Sequence, residues 1–202
     1  MMKLYYSRGA CSLSVHITLC ESGLPFTTEA VNLVTKKTAS GADFTSINPK
    51  GYVPALELDN GEILTEGPAI NQYLADLVPE KKLAPMNGSM DRVRMQSWLT
   101  FIGTELHKSF TPLFKPDSTP EMKAKAVETL NNRFNYVEAQ VAGKQFLVAD
   151  QFSIADVYLL NVFNWLHVLK MPTDQFPNIK ALLARVSARP GVQAALKAEG
   201  LV

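Results

Sequence analysis

"NPKGYVPALELDNGEILTEGPAINQYL" (residues 48–74) packs a turn, a hairpin and a helix start into one stretch. Val53–Leu58 and Glu62–Thr65 are short apolar runs on either side of Asp59-Asn60-Gly61, whose residues favour a tight hairpin turn. Pro68 follows near the first turn of a helical pattern over Pro68–Leu77, where its missing N–H is no loss. Pro49, Gly51 and Pro54 crowd the start of the first strand. The Val53-Pro54 bond is a candidate for cis geometry, although only about 5–6% of X–Pro bonds in folded proteins are cis. A cis bond there would turn the Val53 N–H and C=O outward, where an extended, peptide-like ligand can pair with them as an added strand. The alternative is an ordinary loop proline.

Thr65-Glu66-Gly67-Pro68 ends a strand and opens a helix. The Gly67 N–H lies where helices bind anions, and a carboxylate suits it. Glu66 beside it suits an ammonium. A ligand carrying both groups at one end is an α-amino acid. The alternative is that Glu66 only complements the helix dipole.

Toward the N-terminus, Lys3–Tyr6 reads as a strand, Ser12–Ser22 as a helix closed by Gly23 and Pro25, and Phe26–Asn32 as a second strand. The order is β-α-β, a loop with a weaker helix, then β-β-α, which predicts a small mixed sheet with helices packed on it. Gly9-Ala10-Cys11-Ser12 leads from strand into helix. A thiol there meets unpaired backbone N–H groups and the positive end of the helix dipole, and both favour the nucleophilic thiolate. The competing reading is a buried, inert residue. Position 14 is Ser14, so no CxxC pair exists. Two-thiol exchange is disfavoured, while a single-thiol route with an external thiol stays open. Cys20 shares a helical face with Leu13, Ile17 and Leu24 and reads as core. On one helix Cys11 and Cys20 would stand ~14 Å apart. A disulfide needs Cα atoms within about 7 Å.

Toward the C-terminus, Val78–Met90 carries two prolines and a glycine and reads as a linker. Helical patterns follow at 91–113, 121–141, 154–170 and 176–196. The chain divides into an α/β domain at 1–80, a linker at 81–90 and an all-α domain at 91–202. Ser153 and Asp156 form a capping box, with Phe152 and Val157 at the positions of a hydrophobic staple; this is folding information. In Thr104-Glu105-Leu106-His107-Lys108, His107 is either a structural histidine or a site residue. With histidines only at 16, 107 and 167 and no Cys/His cluster, no metal site is expected.

Hydrophobic residues make up 47% of the 202, enough for a substantial core. The net charge of +1 lacks the basic excess that nucleic acids or membrane surfaces demand. The N-terminus lacks the apolar core of a signal peptide. Val157–Leu169, the most apolar stretch, is too short and too polar to cross a bilayer. A soluble, cytoplasmic protein is expected, and the Asn87-Gly88-Ser89 sequon then carries little weight.

In order and spacing, these features resemble the bacterial glutathione S-transferases of the cysteine-containing beta class. The resemblance runs through "KLYYSRGACSLSVHITLCESG", "NPKGYVPALELDNGEILTEGPAINQYLADLVP", "TELHKSFTPLF", "FSIADVYL" and "RPGVQAALKAEGL". It implies a thioredoxin-like N-terminal domain with a mixed four-stranded sheet, an all-helical C-terminal domain, a homodimer, and glutathione as cosubstrate without a metal. The γ-glutamyl group would meet Glu66 and Gly67, and the main chain of Val53, ahead of cis-Pro54, would pair with the cysteinyl part. Lys36 would approach the glycyl carboxylate, and the sulfur would face Cys11 beside Ser12. From the helical domain His107 and Lys108 would approach, Thr104 and Glu105 would lie near the ligand, with Glu105 reaching the ligand amine across the dimer, and Trp165 would line the pocket for hydrophobic electrophiles.

The implied activity is conjugation of reduced glutathione to such electrophiles, with Cys11 able to form a mixed disulfide with glutathione. Ser12 or His107 would supply an activating hydrogen bond in the absence of Cys11. Glutathione-dependent thiol transfer or peroxide reduction, and non-catalytic ligand binding, are the rival readings. Tyr52 stands where the family has Gln and Thr100 where relatives often carry Asn, both of which bear on glutathione affinity. Val15 and Cys20 depart from the family's usual residues in the first helix and read as packing changes.

Overall fold

Five strands form one mixed sheet, ordered β3-β2-β1-β4-β5, in the computed structural model, which describes residues 1–202. β1 (Met2–Tyr6) runs parallel to β2 (Phe26–Asn32) and antiparallel to β4 (Ala55–Glu57), so that Leu4 sits between Thr28 and Leu56. β4 turns back into β5 (Ile63–Thr65) through the expected Asp59-Asn60-Gly61 turn, closed by the Leu58 N–H on Glu62 O at 2.8 Å. β3 (Lys37–Thr38) pairs with the end of β2 and makes the sheet five-stranded rather than four-stranded. Two residues are too few to display the alternation by which a strand is recognised in sequence.

That alternation sorts the core. Leu4 and Leu56 point to one face, packing with Val15, Leu19, Ile70 and Leu74 of α1 (Leu13–Ser22) and α3 (Gly67–Leu77). Their neighbours Tyr5 and Ala55 point to the other, against Val31, Phe44 and Val53. Phe44 belongs to the weaker helix anticipated there, α2 (Phe44–Ile47), whose N-cap Asp43 accepts the Thr45 N–H at 2.9 Å. α1 stops at Gly23, whose φ of 74° lets its N–H return to Leu19 O.

The chain forms two units, residues 1–84 with 188–202, and residues 85–187. The tail therefore belongs with the α/β unit and not with the helical one, as the sequence expectation had it. The pattern at 176–196 is two helices, α8 (Pro177–Ser187) and α9 (Pro190–Ala198). Pro190 forces the break, because a residue before proline is driven out of the helical region, and Arg189 is extended at φ −71°, ψ 139°. α9 then packs along α1. The Arg189 guanidinium donates twice to Glu21 Oε2, at 2.6 and 3.0 Å. A Cβ on Gly191 would fall 2.6 Å from Glu21 Oε1, so only glycine admits the carboxylate there.

In the helical unit, α4 (Met90–Phe101) starts at Ser89, whose hydroxyl accepts the Arg92 N–H. The expected helix over 91–113 changes pitch instead: Ile102–His107 is a π-turn, Lys108–Phe110 a 3₁₀ turn, and α5 (Thr111–Phe114) follows. α6 (Pro120–Gln140) and α7 (Ile154–Val168) complete the unit with α8. The capping box at α7 is present. Buried Asp156 accepts the Ser153 N–H and the Leu147 N–H, each at 2.8 Å. Burial pushes its carboxyl up to about 6, against the downward pull of those bonds. No helix is long and apolar enough to cross a membrane.

Candidate functional site

The loop from Ser7 to Ser12 delivers Cys11 to the mouth of α1, half-buried, with its Sγ donating to Val53 O at 3.1 Å. The Val53-Pro54 bond is cis. The Val53 N–H makes no hydrogen bond within the chain. Thiol and open backbone edge, separated by 42 residues in sequence, are thus one local structure. Below it, Ser14 Oγ donates to Cys11 O at 2.9 Å and accepts from Asn71 Nδ2 at 3.4 Å, joining α1 to α3 through buried polar groups.

Ser12 is the last residue of this loop. It is wholly buried, and its hydroxyl accepts the Ser7 N–H at 3.1 Å and lies 3.3 Å from Ser7 O. It closes the loop on itself through Ser7.

Glu66 caps α3 with φ at 69°, a left-handed conformation costing a non-glycine residue roughly 1–3 kcal/mol. Its carboxylate is exposed and already holds a cation: Lys50 Nζ lies 2.7 Å from Glu66 Oε1 and 2.9 Å from Thr65 Oγ1. Hydrogen bonding to Glu66 raises the Lys50 ammonium above its ordinary pKa. A lysine therefore occupies the place assigned to a ligand amine, and spacing offered no sign of it. Gly67 behind it is buried, within van der Waals distance of Pro54 and Ser14 for any added Cβ. Lys36, also left-handed at φ 57°, donates from Nζ to Gly51 O at 2.7 Å.

Three residues absent from the sequence expectation hold the Cys11 loop. Glu199, 4% exposed, accepts the Gly9 N–H on Oε2 at 2.8 Å and contacts His16 Nδ1 through Oε1 at 2.9 Å. Arg8 reaches back, donating from Nε to Glu199 O at 2.8 Å and from Nη2 to Gly200 O. The tail after α9 thereby clamps the segment that presents the thiol. The closing "RPGVQAALKAEGL" marks that tail, but nothing in its spacing points to Gly9. Cys20 is chemically quiet: burial first, then Glu21 and Glu199, push its thiol up to about 11.

In the helical unit the π-turn widens the helix, burying Ile102 and Leu106 while Thr104, Glu105, His107 and Lys108 are left wholly or partly exposed. His107 Nδ1 is 2.7 Å from the Tyr158 hydroxyl, and its ring stands edge-on to Trp165 at 4.8 Å. Trp165, only 7% exposed, also meets Phe110 and half-exposed Phe114. Thr104 back-bonds to Thr100 O at 3.0 Å, and Lys108 is exposed. Glu105 is paired within its own chain, 2.7 Å from Arg133 Nε. A separate cavity of about 490 Å³, walled by Trp98, Phe101 and Tyr136, includes neither His107 nor Trp165. The structure contains no cluster of side chains suited to a metal ion.

Residues 9–77 match the model for the glutathione S-transferase N-terminal domain, and residues 101–190 that for the C-terminal domain. Glutathione S-transferase GstA of Escherichia coli O157:H7 is 47% identical over 99% of this chain and all of its own length. Among solved structures, the Sphingomonad glutathione S-transferase complexed with glutathione is 45% identical at a TM-score of 0.95, over 99% of this chain and 100% of that one. The bacterial beta class enzyme of Sphingomonas chungbukensis is 44% identical at a TM-score of 0.96, with the same coverage.

Proposed function

The chain belongs to the glutathione S-transferase family, and from that premise we propose that glutathione lies along the Val53 edge with its sulfur beside Cys11. Glu66 and Gly67 take the γ-glutamyl end, the Val53 main chain pairs with the cysteinyl residue, and Lys36 attracts the glycyl carboxylate. The α-amino group displaces Lys50 from Glu66. In the helical unit the aromatic group around Trp165 takes the hydrophobic electrophile, with His107 and Lys108 as polar partners. Conjugation forms a carbon–sulfur bond, expels the leaving group, and releases the thiol proton to solvent.

The observation that carries this reading is the 3.1 Å contact between Cys11 Sγ and Val53 O, which sets a thiol beside an open strand edge. It favours a second activity. The Cys11 thiolate attacks oxidised glutathione, an S–S bond forms to one half, and the other half leaves as thiolate. Conjugation is then modest, because capture competes with activation of the ligand sulfur. Action as a homodimer in the cytoplasm goes with the family. In that dimer Glu105 must exchange Arg133 for the ligand amine, if it is to bind across the interface.

Intact-mass measurement after incubation with oxidised glutathione tests the reading. One adduct is expected, lost in Cys11→Ala and kept in Cys20→Ala. An adduct on Cys20, or none, removes the capture step. Retention on immobilised glutathione without turnover of any electrophile or disulfide would make the protein a carrier instead.

A further inference from the structure

We propose that the Val53 carbonyl is a shared acceptor that couples ligand binding to ionisation of Cys11. The inference rests on the reading that glutathione lies along the Val53 edge. The Cys11 S–H donates to Val53 O at 3.1 Å. A bond donated by the neutral thiol vanishes when the proton leaves, so this contact favours the protonated form of Cys11. An added strand needs the same carbonyl for its own N–H. In glutathione that N–H belongs to the cysteinyl residue, whose side chain then projects toward Sγ.

An amide N–H is a stronger donor than a thiol, which donates only weakly. The ligand therefore takes the carbonyl. Although a carbonyl oxygen has two lone pairs, the ligand sulfur fills the space beside Sγ and displaces the thiol from the second. Cys11 loses this acceptor, and its proton passes to solvent more readily. The thiolate fraction of Cys11 thus rises when the ligand is in place.

The surrounding charged groups already have internal partners. Arg8 is on the Glu199 and Gly200 carbonyls, Glu199 on His16 and Gly9, Lys50 on Glu66, and Lys36 on Gly51 O. An incoming glutathione backbone carries net negative charge. Taken alone, that charge would keep Cys11 protonated, opposite in sign to the effect of exchanging the acceptor.

The test uses the Cys20→Ala protein, whose single thiol is followed by thiolate absorbance and by ¹³C shift of labelled cysteine across a pH titration. The ligands are S-methylglutathione and the depsipeptide of the same charge in which an ester oxygen replaces the cysteinyl N–H, each at a concentration shown by calorimetry to saturate. S-methylglutathione is expected to lower the Cys11 midpoint, with about three- to tenfold more thiolate below it, as befits one hydrogen bond. The depsipeptide is expected not to lower it. Equal midpoints with both ligands, or an upward shift with S-methylglutathione, overturn the coupling while leaving the binding reading intact. No calorimetric binding of S-methylglutathione would overturn the binding reading, and the coupling with it.

Discussion

Glu199 and His16 meet at 2.9 Å in a buried contact that ties the C-terminal tail to α1. The other oxygen of the same carboxylate takes the Gly9 N–H, two residues before the thiol. A side chain at the end of the chain therefore shapes the loop at its beginning. Glu199→Ala takes the acceptor from the part-buried Gly9 N–H and from buried His16, and the buried histidine left without it costs about 1–3 kcal/mol. Denaturant unfolding should show a loss in that range, and Cys11 capture of oxidised glutathione should slow with it. Unchanged stability would mean that solvent or another group replaces the carboxylate.

Gly191 and Glu21 make the second tie between α9 and α1. Gly191→Ala sets a Cβ 2.6 Å from Glu21 Oε1, so α9 or the carboxylate must shift. The expected cost is about 1–3 kcal/mol, the range for overpacking. Pairing it with Glu21→Ala should cost less than the sum of the single changes, because the two share one contact. Additive unfolding energies would count against that contact.

Asp156 gives a pH signature. Its folded pKa of about 6 lies above the ordinary 3.8, so the folded state binds the proton more tightly than the unfolded chain. The stabilisation this provides is complete below 3.8 and is lost as pH rises toward 6. Asp156→Asn should abolish that part of the pH dependence of unfolding, measured from pH 4 to 7. Ser153→Ala, which removes the other half of the cap, should cost about 1 kcal/mol.

Lys50 competes with any ligand amine for Glu66. The pair is exposed and solvent-screened, so Lys50→Ala should tighten glutathione binding only modestly, by up to about fivefold. The gain should shrink with added salt, because exposed charges are screened. Weaker binding in calorimetry would instead make Lys50 a direct partner of the ligand.

Much of the site was legible because its signals are local. The Asp59-Asn60-Gly61 turn, the Ser153–Asp156 cap and the Gly23 stop each depend on a few adjacent residues. The cis Val53-Pro54 bond and the placement of Cys11 at a helix start were likewise readable from neighbouring residues. The bond between the Ser12 hydroxyl and Ser7 is a loop closure that no residue type announces. The single helix expected at 176–196 overlooked the constraint that Pro190 places on Arg189.

By itself, then, the sequence determined the β-α-β and β-β-α order, the helical second half and the chemistry available at Cys11, Val53, Glu66 and His107. Hydrophobic period, turn residues and caps act over a few positions and can be read without coordinates. Only the tertiary structure decided that Glu199 holds the Cys11 loop from 190 residues away, that Lys50 rests on Glu66, and that the Cys11 thiol spends its proton on Val53 O. Those contacts join side chains to partners far along the chain, and their geometry exists only once the sheet and α9 have packed against α1.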